Sequence, residues 1–242
     1  MNTRRIGAAA VAVVATLSLA ACGSSYTPLT QANFAKSISE ASKGLSSVHM
    51  SMKASSRFTI AADFSYKKPV AMQMTMSSTQ GKTTSTVSLR LIADALYLQA
   101  PPVTPAGKWV KADAASLGVG AAKSYTNLGP QGMSDQFKKG IRSIKYVGAT
   151  TIDGKAAQHY TVTVDASQLG SSLAALASQV PALADVKTIA EQIYLSDANV
   201  IQRLTITLPA PVGTLEVDFS NWNAPVTIQQ PAASDLVTPS GN

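Results

Sequence analysis

Residues 70–77 read VAMQMTMS, and residues 48–54 read VHMSMKA. In both stretches apolar side chains take every second place. Val70, Met72, Met74 and Met76 alternate with Ala71, Gln73, Thr75 and Ser77, while Val48, Met50, Met52 and Ala54 alternate with His49, Ser51 and Lys53. A strand sends successive side chains to opposite faces, so a period of two gives each stretch one apolar and one wet side. Antiparallel sheets accept such two-faced strands, whereas parallel sheets are covered on both faces. The pattern predicts an antiparallel sheet whose apolar face has to be covered.

Working outward, Lys67-Lys68-Pro69 breaks the chain ahead of the second stretch, and a turn at Gly81 leads to Val87, Leu89 and Leu91. Asp94-Ala95 leads into Leu96, Tyr97 and Leu98, and Trp109-Val110 follows the proline-rich PPVTPAGK. Such short connections join antiparallel neighbours. Further on, strands are predicted at 141–147 and at His159, Tyr160, Val162 and Val164, joined through the tight turn Ile152-Asp153-Gly154-Lys155. Three more carry Ile193 and Leu195, then Ile201, Leu204, Ile206 and Leu208, then Leu215, Val217 and Phe219. Helical spacing appears twice. Thr30 is the expected N-cap of a helix bearing Phe34, Ile38, Ala41 and Leu45, stopped at Gly44. Asp165 is the expected cap of a second, bearing Leu169, Leu173, Leu176 and Val180 and ended by Pro181. The stretch 112–140, rich in Gly, Ala and Ser, carries weak helical signals at Leu117, Met133 and Phe137 and reads as a cover. The predicted class is α+β: a large antiparallel sheet with helices on its apolar face.

The chain opens MNTRRIGAAAVAVVATLSLAACGSS. Arg4 and Arg5, an uncharged apolar run from Ile6 to Ala21 and small residues after it have the layout of an export signal. The run is too short for a spanning helix. Leu19, Ala20, Ala21 and Cys22 resemble the bacterial lipobox, which implies cleavage before Cys22, a diacylglyceryl group on its sulfur and an N-acyl group on its amine. Palmitate is the expected kind of acyl group. Several acyl chains on one residue, at about 0.8 kcal/mol per buried CH2, make a durable anchor. Cys22 is the sole cysteine, so no disulfide is expected. The expected division is a signal peptide over 1–21, a lipidated tether over 22–29, one domain over 30–230 and a loose tail over 231–242.

Removing residues 1–21 takes away Arg4 and Arg5 and no acid, which leaves 18 basic against 13 acidic side chains and a charge of +5. Lys67-Lys68 and the looser group Lys138, Lys139, Arg142 and Lys145 suit an anionic membrane surface or, equally simply, a solvated face. The basic residues are not interleaved with aromatics, so nucleic acid is not an expected partner. His49 and His159 sit alone on strand patterns, the acids are scattered, and no catalytic or phosphate-binding motif appears. Neither an enzyme nor a metal site is expected.

The lipobox, DALYLQAP (94–101), GKWVKAD (107–113), IDGKAAQHYTVTVD (152–165) and NVIQRLTITL (199–208) together resemble the LppX/LprA/LprF/LprG family of actinobacterial lipoproteins. The resemblance runs over roughly 30–222 and rests on the order and spacing of these pieces. It implies a LolA/LolB-like fold, a half-barrel sheet with helices over its concave face around a cavity for acylated lipid or glycolipid. It further implies an exported protein on the outer face of the cell membrane or in the envelope, moving lipid, with an envelope transporter as possible partner. A monomer is expected. By strand parity the ligand-lining residues are Met50, Met52, Met72, Met74, Met76, Leu89, Leu91 and Leu98, joined by Leu173 and Leu176 from a covering helix. Unbranched thioethers make a deformable wall, though they fill an ordinary core as readily. The alternative reading is an anchored adaptor or surface signalling module with a filled core.

Overall fold

In the computed structural model, residues 26–54, 58–101, 104–113, 137–138, 140–168, 186–210 and 213–238 are described. The signal segment, Cys22, most of the Gly/Ala-rich middle, Leu173 and Leu176 lie outside them.

One helix, α1 (Phe34–Ser42), opens the domain. Six strands follow: β1 (Ser47–Ala54), β2 (Phe58–Ser65), β3 (Ala71–Gln80), β4 (Thr83–Ile92), β5 (Ala95–Gln99) and β6 (Trp109–Asp113). Five more come after the middle segment: β7 (Ile141–Ile152), β8 (Lys155–Asp165), β9 (Thr188–Leu195), β10 (Ile201–Leu208) and β11 (Gly213–Ser220). A two-residue strand, β12 (Leu236–Val237), comes last. All twelve form one curved sheet in the order β12-β6-β5-β4-β3-β2-β1-β11-β10-β9-β8-β7. Two meanders are thus joined where β11 pairs antiparallel with β1.

The turns are those the sequence demands. Asp153 and Gly154 both have positive φ, 50° and 77°, and link Ile152 to Lys155 as a two-residue hairpin whose twist suits the flanking strands. Gly81, with φ 63°, starts the matching connection between Gln80 and Thr83. In the turn read at Asp94-Ala95 the linking pair is Ala93-Asp94, and Ala95 already belongs to β5.

Three expectations are corrected. The sheet is mixed, because β12 pairs in parallel with β6 through Leu236 and Trp109, within the segment read as a loose tail. Strand β2 falls in a stretch where the sequence pattern predicts none. In FTIAADFS the inward Ala62 and the outward Ala61 look alike, so the alternation is blurred although Phe58, Ile60 and Phe64 keep it. Besides α1, Phe137, Lys138 and Gly140 are helical, and the second helix read after Asp165, bearing Leu169, Leu173, Leu176 and Val180, lies outside the described residues, beyond the 3-10 turn Ala166–Gln168. Finally, Asn33 rather than Thr30 is the N-cap of α1. Its Oδ1 accepts hydrogen bonds from the Thr30 amide at 2.7 Å and hydroxyl at 3.2 Å, so Thr30 closes a turn ahead of the helix. Asp165 does act as read in one respect, since its Oδ1 accepts from the Ser167 amide and hydroxyl.

Candidate functional site

Strand register decides which side chains meet. One inward row runs Phe219–Met50–Ala62–Met74–Leu89–Leu98–Val110 across seven strands, from β11 to β6. A second, Tyr146–Tyr160–Ile193–Leu204–Val217–Met52–Ile60–Met76–Val87, crosses nine, from β7 to β4. A third contains Val48, Phe64, Met72, Leu91 and Leu96. The eight predicted residues on β1, β3, β4 and β5 therefore share one face. Met50, Met72, Met74, Leu89 and Leu91 are buried there, while Met52, Met76 and Leu98 are half-buried.

The methionine-lined half of this face, on β1 and β3, differs from the half on β8 to β10, which is lined by branched Ile, Val and Leu. An aromatic cluster packs between α1 and strands β7 and β8. Phe34 from the helix meets Tyr160 edge-on at 5.3 Å and Phe137 at 5.7 Å, and Tyr160 lies 5.2 Å from Tyr146. The Tyr160 hydroxyl accepts a hydrogen bond from the Leu29 amide at 2.8 Å and shares another with the Tyr26 hydroxyl. Tyr26 in turn donates to Asn199 Oδ1. Residues Tyr26 and Leu29, in the stretch read as tether, are thereby docked on the core.

Sequence reasoning did not single out Glu191. It occupies an inward position on β9, in the row Ile144–Val162–Glu191–Ile206–Leu215, and is 2% exposed. Burial pushes its carboxyl up to about 7, and its Oε2 has no hydrogen-bond partner. The signal was available in TIAEQIYL, where Glu191 shares parity with Ile189, Ile193 and Leu195. Further along β9 and β10 a cavity of about 600 Å³ has Lys187, Thr188, Ile189, Thr207, Leu208 and Pro209 in its wall.

The outward face is polar. His49 Nδ1 and Asp63 Oδ1 lie 2.7 Å apart, and Gln73 donates to the other oxygen of Asp63. Arg90 sits 4.6 Å above the Trp109 ring and donates to the Gln229 carbonyl, so the segment after β11 straps this side. A cavity of about 320 Å³ beneath it touches Asp63, Gln73, Arg90 and Trp109, together with Met74 and Leu89. His159 lies 2.7 Å from Gln192 Oε1 and stacks on Tyr194. Among the described residues no group of His, Cys, Asp and Glu is arranged to hold a metal ion, and no helix is long and apolar enough to cross a membrane. The basic group read near 138–145 is partly engaged inside the domain, since Arg142 pairs with Asp165 and holds that carboxyl below its usual range.

A broad curved sheet, apolar within and polar without, with a helix against its inner face, defines a half-barrel fold. Two solved structures share it. LprF from Mycobacterium bovis aligns over 84% of this chain and 97% of its own, with a TM-score of 0.58 and 20% identity. The Mycobacterium tuberculosis lipoprotein LppX aligns over 82% and 98%, with a TM-score of 0.53 and 17% identity. The family resemblance found in the sequence holds at the level of fold. No protein-family model and no curated protein matches the chain in sequence.

Proposed function

We propose that this protein is an exported lipoprotein, anchored through acyl groups on Cys22, that takes the acyl chains of a lipid or glycolipid against the inward face of its sheet and helps move them across the cell envelope. The observation that carries the reading is the row of nine apolar and aromatic inward side chains that crosses β7 to β4, on a face that also carries Met50, Met52, Met72, Met74 and Met76. A 16-carbon chain exposed to water forfeits about 12 kcal/mol at about 0.8 kcal/mol per CH2, so a carrier has to enclose nearly all of it. A curved sheet wide enough for nine paired residues in one row offers that enclosure, and thioether side chains adapt to irregular hydrocarbon. The LprF and LppX folds support the reading.

Mature protein purified from a bacterial host should carry acyl lipid that solvent extraction releases and native mass spectrometry weighs. A bare polypeptide mass, with no extractable lipid, rejects the carrier. The near-complete burial of Met50 and Met72 favours a second reading, an anchored adaptor with a filled core. That protein would emerge lipid-free and would instead retain an envelope partner through its surface.

A further inference from the structure

Glu191 is out of place by every rule that governs the rest of the inward face. Its cross-strand neighbours are Val162 on β8 and Ile206 on β10, and Ile189 and Ile193 flank it on its own strand. None of the four can hydrogen-bond through its side chain. Gln158, the other buried polar side chain on this half of the face, makes the comparison clear: it accepts from the Tyr146 hydroxyl at 2.6 Å and donates to Asp197 at 2.9 Å. Glu191 has no such partner for its Oε2, and burial alone raises its carboxyl to about 7. A buried acceptor left unpaired costs free energy that a leucine in the same place would not. An unpaired buried acceptor in a folded protein calls for an explanation, and a bound molecule that completes its hydrogen bonding supplies one.

We propose that Glu191 is the polar contact of the lipid site, its carboxyl accepting a hydrogen bond from a free hydroxyl group of an uncharged acyl lipid of the diacylglycerol type. This rests on the carrier reading above. The surroundings select the partner chemistry. An anionic headgroup would meet a carboxyl whose flanking and cross-strand neighbours, Ile189, Ile193, Val162 and Ile206, carry no positive charge, and a cationic one would need more acceptors than this single group supplies. A hydroxyl supplies one donor on an otherwise apolar molecule, which is what one carboxyl amid valine and isoleucine can satisfy. One step along the same face, Ile189 and Leu208, the next inward positions along β9 and β10, belong to the wall of a cavity of about 600 Å³ that also includes Lys187 and Thr188.

The test uses the full-length protein, stripped of lipid, and a pyrene-labelled alkyl probe displaced by 1,2-dioleoylglycerol or by the same lipid with its hydroxyl acetylated. The wild-type protein should bind the free hydroxyl at least tenfold more tightly, the size expected of a hydrogen bond to an ionisable buried group. Glu191→Leu should still take the probe and should hold the two lipids within about twofold of each other. Glu191→Gln, which keeps an acceptor oxygen, should retain most of the preference; Glu191→Met replaces the leucine variant if that one does not fold. Equal binding of the two lipids by wild type, or a preference that survives in the apolar variant, overturns the hydroxyl contact while the carrier stands. If wild type takes neither lipid nor the probe, the carrier reading falls and the contact with it.

Discussion

Replacing Glu191 by leucine should make the protein more stable, and increasingly so as the pH rises. The ordinary value for this carboxyl is 4.5, and burial raises it to about 7. Between those two values the folded protein keeps a proton that the unfolded chain has lost, so unfolding releases a proton and wild-type stability falls with rising pH. Every pH unit crossed between them removes about 1.36 kcal/mol, so the loss over the whole window sums to about 3 kcal/mol. The contribution is full below pH 4.5 and gone above pH 7. Leucine removes the titration. The stability of Glu191→Leu minus that of wild type should therefore grow by about 3 kcal/mol between pH 4 and pH 8, and taking the difference cancels every other titrating group. For a domain of this size that corresponds to about 6 to 12 °C in Tm at the upper pH. Denaturant midpoints of both proteins at pH 4, 5.5, 7 and 8 measure it. A difference that does not change with pH would refute the reasoning, because it would mean that Glu191 is hydrated or paired in the folded protein.

Three further outcomes follow from the packing. Met74→Trp places a larger side chain on the inward face beside Ala62 and Leu89, and should lower lipid retention in a protein that still folds; retention at the wild-type level, read by extraction, would show that the ligand lies elsewhere. Tyr160→Phe leaves the Leu29 amide without its acceptor and should cost about 1–3 kcal/mol in denaturant unfolding, with faster proteolysis around Tyr26. Gly154→Ala meets no neighbouring atom, yet φ of 77° strains any L side chain, so it should cost about 1–2 kcal/mol while leaving lipid retention unchanged.

The residues that made the fold legible are those whose alternation is strict. Met50, Met52, Met72, Met74 and Met76 announce both their strands and their common face, and Asp153-Gly154 announces its hairpin. Strand β2 escaped because alanine at both parities, Ala61 and Ala62, carries no contrast between faces. The joining of β1 to β11, more than 150 residues apart in the chain, rests on backbone pairing that no local pattern records. The same holds for the docking of Leu29 on Tyr160 and of Leu236 beside Trp109. At the candidate site the apolar face could be read by parity, and so could Glu191, which alternates in step with Ile189, Ile193 and Leu195; attention to apolar positions passes over an acid among them. Its pairing with Val162 and Ile206 places it inward.

If the protein carries lipid, the guest's hydrocarbon lies against the methionine-lined face. With methionine methyl groups labelled with carbon-13 and a nitroxide-bearing acyl lipid added, the methyl resonances of Met50, Met72 and Met74 should broaden strongly and recover when the nitroxide is reduced. If all three stay sharp while the lipid is bound, the guest is somewhere else and the interior of this sheet is an ordinary core.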